Sequence, residues 1–507
     1  MSWRSLPGLV ADRARSRPQA PALLWHAEQI SYEQLYGLAG TAARRLAGLG
    51  LPAGEPVAMV AKKSPEAVAV LLACLLLGRP VLVPSAELGP QTLAELLERS
   101  GAHRLPAPED LTAPEEAASP GELASGQGGF LPEADAEPDD VALLLTTSGS
   151  TGLPKVVPLS TGAITRFADW AAGQFDIGPD STVLNYAPLN FDLSLLDVWT
   201  TLSRGGCAVL VDQEHAGNPA HLSALLRARP AQLVQGVPML YRLLEQAGEE
   251  LGPSLEAVRH AILTGDAVTE RVFTPLPALL PKAVFHNVYG CTETNDSFIH
   301  PIDPIDPMPY GAVPIGRPID GVKALVLDED GGELTGPGRG ELVVSTPFQS
   351  TGYLDAQLDL GVFTERADGR YYRTGDLVRR HPDGVLTLEG RRDFMVKVRG
   401  VRVNTAEVEA ALRSHPEVAE AAVLTTADEV AGSRLHAVVQ RAPGATVNSL
   451  AIRQHLIGLL PRVAIPTTVE LVDTALPRTS TGKLDRKAVQ HASRHARPHP
   501  TTTTSGG

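Results

Sequence analysis

The sequence predicts an α/β fold: a large N-terminal α/β domain over residues 1–392, a small α+β domain over 393–490 and a flexible tail over 491–507. Three observations carry this expectation. The chain has 507 residues, more than a single hydrophobic core usually organises. Its first part alternates helix-period and strand-like apolar runs. After Gly390 the pattern changes to alternating strands interrupted by a helix, in a stretch of about a hundred residues, the scale of a small domain.

The elements follow in order. Residues 31–50, SYEQLYGLAGTAARRLAGLG, place Leu35, Leu38, Ala42 and Leu46 near helical spacing, with a glycine closing the run and Pro52 beyond it. VAMVAKK (57–63) reads as a strand. A helix over 65–77 ends at Gly78, and RPVLVP (79–84) supplies another short strand. Residues 106–140 are dense in Pro, Gly, Ala and acidic side chains without periodicity, and read as a surface excursion. VALLLTT (141–147) is an apolar strand that delivers a Gly/Ser/Thr loop to one edge of a sheet. Beyond Gly390, FMVKVRGVRV alternates like a strand, TAEVEAALRSH forms a helix starting at Thr405, and AEAAVLTTA and RLHAVVQRA are further strands. The tail, HASRHARPHPTTTTSGG, has low complexity. No internal repeat is present.

Composition excludes several classes. With 58 acidic and 44 basic residues the formal charge is -14, which disfavours a nonspecific nucleic-acid binder with a cationic face, although a local basic patch stays open. Cys74, Cys207 and Cys291 show no CxxC spacing, so neither a disulfide scaffold nor a zinc site is expected, and a reducing cytoplasm fits. The N-terminus, MSWRSLPGLVADRARSRPQ, lacks an apolar core for export, and the longest apolar stretch, 67–77, is too short to span a bilayer. The expectation is a cytoplasmic protein with no membrane partner.

The chemistry begins at residues 146–155, TTSGSTGLPK. Thr146, Thr147, Ser148, Gly149, Ser150, Thr151 and Gly152 form a stretch whose backbone N–H groups can turn toward phosphate oxygens, and Lys155 adds positive charge. The pattern is not a Walker loop, because Val156 follows the lysine. By itself such a stretch is more often a plain turn. It does not stand by itself: TSGSTGLPK resembles the signature of the adenylate-forming superfamily, and further motifs follow in register. These are NVYGCTET (287–294), YRTGDLV (372–378), GRRDFMVKVRGVRVNTAEVE (390–409) and PRTSTGKLDR (477–486). Together with NFDLSLLDVW (190–199) they make the chain resemble the amino-acid adenylation domains of nonribosomal peptide synthesis.

That resemblance implies a large domain of layered β-sheets and helices, a small mobile C-terminal domain, and ATP with Mg²⁺ as cofactors. It assigns adenine stacking to Tyr289, with Asn287, Gly290 and Thr292 around the nucleotide, and magnesium to Glu293, a hard carboxylate ligand. Asp376 would accept hydrogen bonds from both ribose hydroxyls, and Arg391 would contact ribose or phosphate. Lys483 would be the catalytic lysine, a point charge offsetting the substrate carboxylate and the α-phosphate. Asp393 would be the hinge about which the small domain turns.

The substrate follows from the same resemblance. Asp192 corresponds to the carboxylate that pairs with an α-ammonium, and a buried Asp without such a partner would be costly. The remaining pocket positions are Leu193, Leu196, Gly236, Ile262, Thr264, Val288, Asp296 and Ser297. Four branched aliphatic side chains narrow the pocket toward alanine, glycine or serine. Asp296 argues instead for a cationic or hydroxylated side chain, provided that the register holds after Thr294.

The family's usual AGGAYVPLDP is LGRPVLVPSAE here, and Cys291 replaces a frequent proline, which points to a divergent, stand-alone branch. No phosphopantetheine attachment motif follows Lys483, so a phosphopantetheinylated carrier protein is expected in trans. A dependence on a small activator protein stays open. The competing readings are an acid:CoA ligase, disfavoured by Asp192, and a nucleotide-binding regulatory protein without turnover, disfavoured by the joint presence of Lys483, Glu293 and Asp376.

Overall fold

A computed structural model describes residues 4–52, 54–60, 62–86, 88–114, 136–147, 154–398, 401–428, 432–457, 459–460, 462–479 and 482–495. The chain forms two compact units. The first comprises Met1–Leu325, Val343–Thr374 and Arg380–Thr387; the second comprises Val326–Leu342, Gly375–Arg379 and Leu388–Gly507. The division passes through the strands Lys323–Leu327, Gly338–Ser345, Gly369–Arg380 and Leu386–Arg391.

In the first unit, local chemistry sets the helix starts. Ser31 caps the helix Tyr32–Gly48 by accepting from Gln34 N, while the Gln34 side chain returns to the Ser31 N–H, a reciprocal capping box. The helix Pro65–Leu76 is capped by Ser64 and opened by a proline. Every residue of that helix except Glu66 is buried, the mark of a helix enclosed on all sides.

Among the described residues, the larger sheet has nine strands. Pro21–Trp25, Cys207–Leu210, Thr182–Asn185, Leu233–Gly236, His260–Thr264 and Val284–Cys291 run parallel, and antiparallel strands flank them. A second, five-stranded sheet ends in the antiparallel pair Val141–Thr147 and Lys155–Ser160, on either side of residues 148–153. One core cluster draws Leu23, Val183 and Leu210 from the first sheet, Val57, Val81, Leu143 and Val157 from the second, and the helix Pro65–Leu76. The layers therefore share their apolar interior, at full burial for most members.

Strand order fixes where a site can form. From Thr182–Asn185 the chain goes to Cys207–Leu210 on one side and later to Leu233–Gly236 on the other. The carboxyl end of Thr182–Asn185 is thus a topological switch point, where diverging connections leave a crevice.

The second unit has its own core, built from Val398, Val403, Val408, Leu412, Val439 and Ile452 with their neighbours. The strand Val418–Asp428 pairs antiparallel with Gly432–Arg441, which pairs parallel with Thr468–Val472. Buried Glu409 accepts from Val423 N at 2.9 Å and from Arg486 Nε at 3.0 Å, tying the helix Thr405–Arg413 to the sheet and to the last described helix.

Several elements differ from the sequence expectation. Among the described residues VAMVAKK contributes a strand at Val57–Ala58, and Lys63 turns inward to donate to the carbonyls of Asn185 and Tyr186. FMVKVRGVRV is a hairpin of Met395–Val398 and Val401–Asn404 rather than one strand. The following helix is capped by Asn404, which accepts from Ala406 N. A short helix, Pro108–Thr112, lies in the stretch read as surface excursion. The helix Arg486–His495 runs into the stretch read as tail.

Candidate active site

The segment bearing Asp192 sits directly after the switch-point strand. Residues 189–193 form turns, with Leu195 N donating to Asp192 O at 2.8 Å, and a π-helical stretch follows at Leu195–Thr200. Such wide turns are rare and cluster at functional sites. Asp192 and Leu193 are partly exposed, whereas Leu196 is buried in the same core cluster as Ile262 and Val288. Gly236, Thr264 and Val288 lie toward the carboxyl ends of parallel neighbouring strands, so one sheet edge collects these positions. A Cβ on Gly236 would meet Leu240 Cδ2 at 2.6 Å, so any larger residue there requires the Leu240 side chain to shift.

The 287–297 stretch folds back on itself. Asn287 donates to Pro314 O at 2.7 Å, and Tyr289 meets the edge of Phe298 at a centroid distance of 6.0 Å. The register slips between Tyr289 and Gly290, and Asn295 takes φ 54° to make the return. Gly290 is required here, since a Cβ would lie 2.3 Å from Asn295 O. Asp296 lies opposite Gly290 and is partly buried, and no hydrogen bond or ion pair engages it among the described residues. Burial, with the neighbouring Asp192 carboxylate, pushes the Asp296 carboxyl up to about 7. Ser297 is fully buried, its hydroxyl 3.2 Å from both Thr294 Oγ1 and Asn295 O. Its polar group therefore serves the turn.

Glu293 is 7% exposed and anchored at both ends. Its carbonyl accepts from Ser350 N at 2.9 Å and its Oε1 from Tyr353 OH at 2.6 Å. Lys155 Nζ stands 4.6 Å from the centroid of the same Tyr353 ring, and Tyr372 OH lies 3.5 Å from Tyr353 OH. Burial and the Glu293 carboxylate raise the Tyr353 phenol above its ordinary range, so it remains a hydrogen-bond donor. Tyr353 thus links the lysine that ends the phosphate-loop motif with the glutamate of YGCTE. Sequence reading missed Tyr353: its partner is 60 residues away and no local pattern marks it.

Thr146 and Thr147 end one strand of the hairpin, and Thr147 pairs with Lys155 at the start of the next. Ser148, Gly149, Ser150, Thr151 and Gly152 lie outside the described residues. Thr292 joins the two arms of the 287–297 turn.

In the second unit, Asp376 is 8% exposed and its Oδ1 accepts from Arg391 NH1 at 2.9 Å, so the two positions assigned to ribose and phosphate are already paired. Lys483 is exposed on a tight turn in which Thr479 N donates to Lys483 O at 2.8 Å and Gly482 takes φ 79°. Asp393 falls in the 3-10 turn Arg392–Phe394, and its side chain lies outside the described residues.

Comparison with known proteins places the chain in a family. The profile of the AMP-binding enzyme matches residues 10–354, and that of the AMP-binding enzyme C-terminal domain matches 407–483. The chain belongs to the AMP-binding enzyme family. An L-proline–[L-prolyl-carrier protein] ligase of Pseudomonas fluorescens is 33% identical over 489 residues, covering 93% of this chain and 96% of the relative. Phenyloxazoline synthase MbtB of Mycolicibacterium paratuberculosis is 34% identical over 94% of this chain, which spans 41% of that longer protein. Among solved structures, ATP-bound MatB from Rhodopseudomonas palustris superposes with a TM-score of 0.79 at 26% identity, covering 97% of this chain and 99% of MatB. The protein is therefore an amino-acid adenylating ligase that uses ATP, with a large N-terminal α/β domain of layered sheets and a smaller C-terminal one. No described helix is long and apolar enough to cross a membrane.

Proposed function

We propose that this ligase activates a compact amino acid as aminoacyl-AMP and passes it to the phosphopantetheine thiol of a carrier protein supplied in trans. The reading rests most on Asp192, a carboxylate at the switch-point crevice that suits an α-ammonium. In the first step a substrate carboxylate oxygen bonds to the α-phosphorus of ATP, and pyrophosphate leaves. In the second, the carrier thiol bonds to the acyl carbon, AMP leaves with the bonding pair of its C–O bond, and the thiol proton passes to solvent. Lys483 balances charge in the first step. A turn of the small domain over 393–490 about Asp393 separates the two.

Glu293 fits a magnesium ion: among the described residues its second carboxylate oxygen carries no protein hydrogen bond, while the first is fixed by Tyr353. A bound Mg²⁺ would screen the phosphate charge against the incoming carboxylate. Asp376 and Arg391 suit the ribose hydroxyls and a phosphate, and Tyr289 suits the adenine face.

Leu193, Leu196, Ile262 and Val288 favour a small side chain such as that of alanine, glycine or serine. The Pseudomonas relative is named for L-proline, which is also compact, and proline belongs among the first substrates to try. A second reading, a polar or basic side chain, is favoured by the unengaged carboxylate of Asp296. The acceptor test is direct. Thioester should form on a phosphopantetheinylated carrier and not on free coenzyme A; efficient acyl-CoA formation would replace the carrier reading with an acid:CoA ligase.

A further inference from the structure

Beneath the Asp192 segment lies a buried polar network that the two-step reaction does not use. Asp197, on the π-helical stretch, is fully buried. Its Oδ2 accepts from Asn185 Nδ2 at 3.2 Å and its Oδ1 from Gln235 Nε2 at 3.1 Å. Gln235 Nε2 also donates to Leu193 O at 3.1 Å. Lys63 is 4% exposed and donates to Asn185 O at 2.9 Å and Tyr186 O at 3.1 Å. Asn185 ends the switch-point strand, and Gln235 precedes Gly236 on the strand beside it. Asn185 and Gln235 thus converge on the Asp197 carboxylate, Gln235 also holds the carbonyl next to Asp192, and Lys63 joins the network through the carbonyl of Asn185.

We propose that Asp197 is a positioning residue for the amino-acid pocket, holding the turn at Asp192–Leu193 and the strand end at Gly236 in one register through Gln235 and Asn185. The inference rests on the reading that Asp192 receives the substrate amine. A π-helical turn has wide, weakly determined geometry, and here Thr200 Oγ1 and Thr201 Oγ1 return to the carbonyls of Leu195 and Leu196. Neither bond fixes the turn relative to the neighbouring strand; the Asp197–Gln235–Leu193 link does. Burial draws the Lys63 ammonium down to about 7 and raises the Asp197 carboxyl well above its ordinary range, and each charge opposes the shift in the other. A lysine placed on strand-end carbonyls beside this carboxylate is costly to bury unless the network is complete. Without it the turn samples other arrangements, and apparent affinity falls by the fraction of molecules still competent.

The test uses Gln235→Met, which keeps volume and removes both donations, together with Asp197→Asn and Asp197→Ala. Amino-acid-dependent pyrophosphate exchange is read with the amino acid and ATP varied separately. Positioning predicts an amino-acid KM raised about ten- to a hundredfold, an ATP KM within about twofold, and a milder effect for Asp197→Asn than for Asp197→Ala. Folded variants whose amino-acid KM is unchanged, or whose two KM values rise together, would overturn it. Should the variants not fold, deuterium uptake in the parent decides: amino-acid binding should slow exchange across 192–200 and 233–236 together, and slowing in one segment alone contradicts the coupling. If the parent shows no amino-acid-dependent exchange, the substrate reading itself fails, a result distinct from either.

Discussion

Replacing Tyr353 with phenylalanine removes one hydroxyl and leaves the ring on which Lys155 rests. Tyr353 is 5% exposed, and its OH meets Glu293 Oε1 at 2.6 Å. That length belongs to a charge-assisted bond, worth about 1.5–3 kcal/mol. The loss leaves Glu293, 7% exposed, with an unsatisfied carboxylate oxygen. Packing is otherwise preserved, because Phe363 still borders the ring at a centroid distance of 5.8 Å and Lys155 still stands over it. The cost should appear as a fall of about ten- to a hundredfold in kcat/KM for Mg·ATP, with a raised Mg²⁺ requirement and little change in the amino-acid KM. The assay is pyrophosphate exchange with ATP and Mg²⁺ titrated independently. A folded Tyr353→Phe enzyme with unaltered Mg²⁺ and ATP dependence would refute the idea that Tyr353 orients Glu293 for nucleotide work.

Three further outcomes are expected. Lys483→Ala should abolish adenylate formation while ATP binding, followed by calorimetry, stays within a few-fold of the parent; unchanged turnover would remove Lys483 from the catalytic step. Asp296 reports on the side chain, because its carboxyl titrates near 7 and is raised above the unfolded value. Stability from its neutral form is present at low pH and is lost as pH rises toward and through 7. A substrate with an apolar side chain should accordingly bind about tenfold more weakly at pH 8 than at pH 6, whereas a basic one should bind more tightly over the same interval, and Asp296→Asn should flatten either profile. Glu409→Ala should leave the Val423 N–H without its acceptor and Arg486 without its carboxylate, costing about 1–3 kcal/mol in the second unit, measurable by thermal unfolding.

Legibility in the sequence followed the range of the interactions. The helix over 31–50 could be read because its cap, Ser31 with Gln34, is three residues long. The hairpin Met395–Val398/Val401–Asn404 read as one strand because alternation continues through a two-residue turn. Lys63 reads as the last residue of a strand, yet it is buried against carbonyls 122 and 123 residues away. Glu293, Asp376 and Arg391 stand out in the sequence by motif order and spacing, but the pairing of Asp376 with Arg391 and the Tyr353 hydroxyl on Glu293 do not. The bonds of the Ser297 hydroxyl to Thr294 and Asn295 within the 294–297 turn were likewise not legible. Long-range polar contacts carry no periodicity, and only a folded chain brings their partners together.

The central claim is that Asp192 makes this an amino-acid enzyme. The measurement that meets it most directly is substrate-dependent formation of AMP and pyrophosphate across proteinogenic amino acids, D-alanine, β-amino acids, aryl acids and fatty acids, in the parent and in Asp192→Ala. Robust turnover with one compact amino acid, lost in Asp192→Ala, is the predicted result. Turnover only with acids that lack an amine, or turnover with an amino acid that survives Asp192→Ala intact, would contradict it.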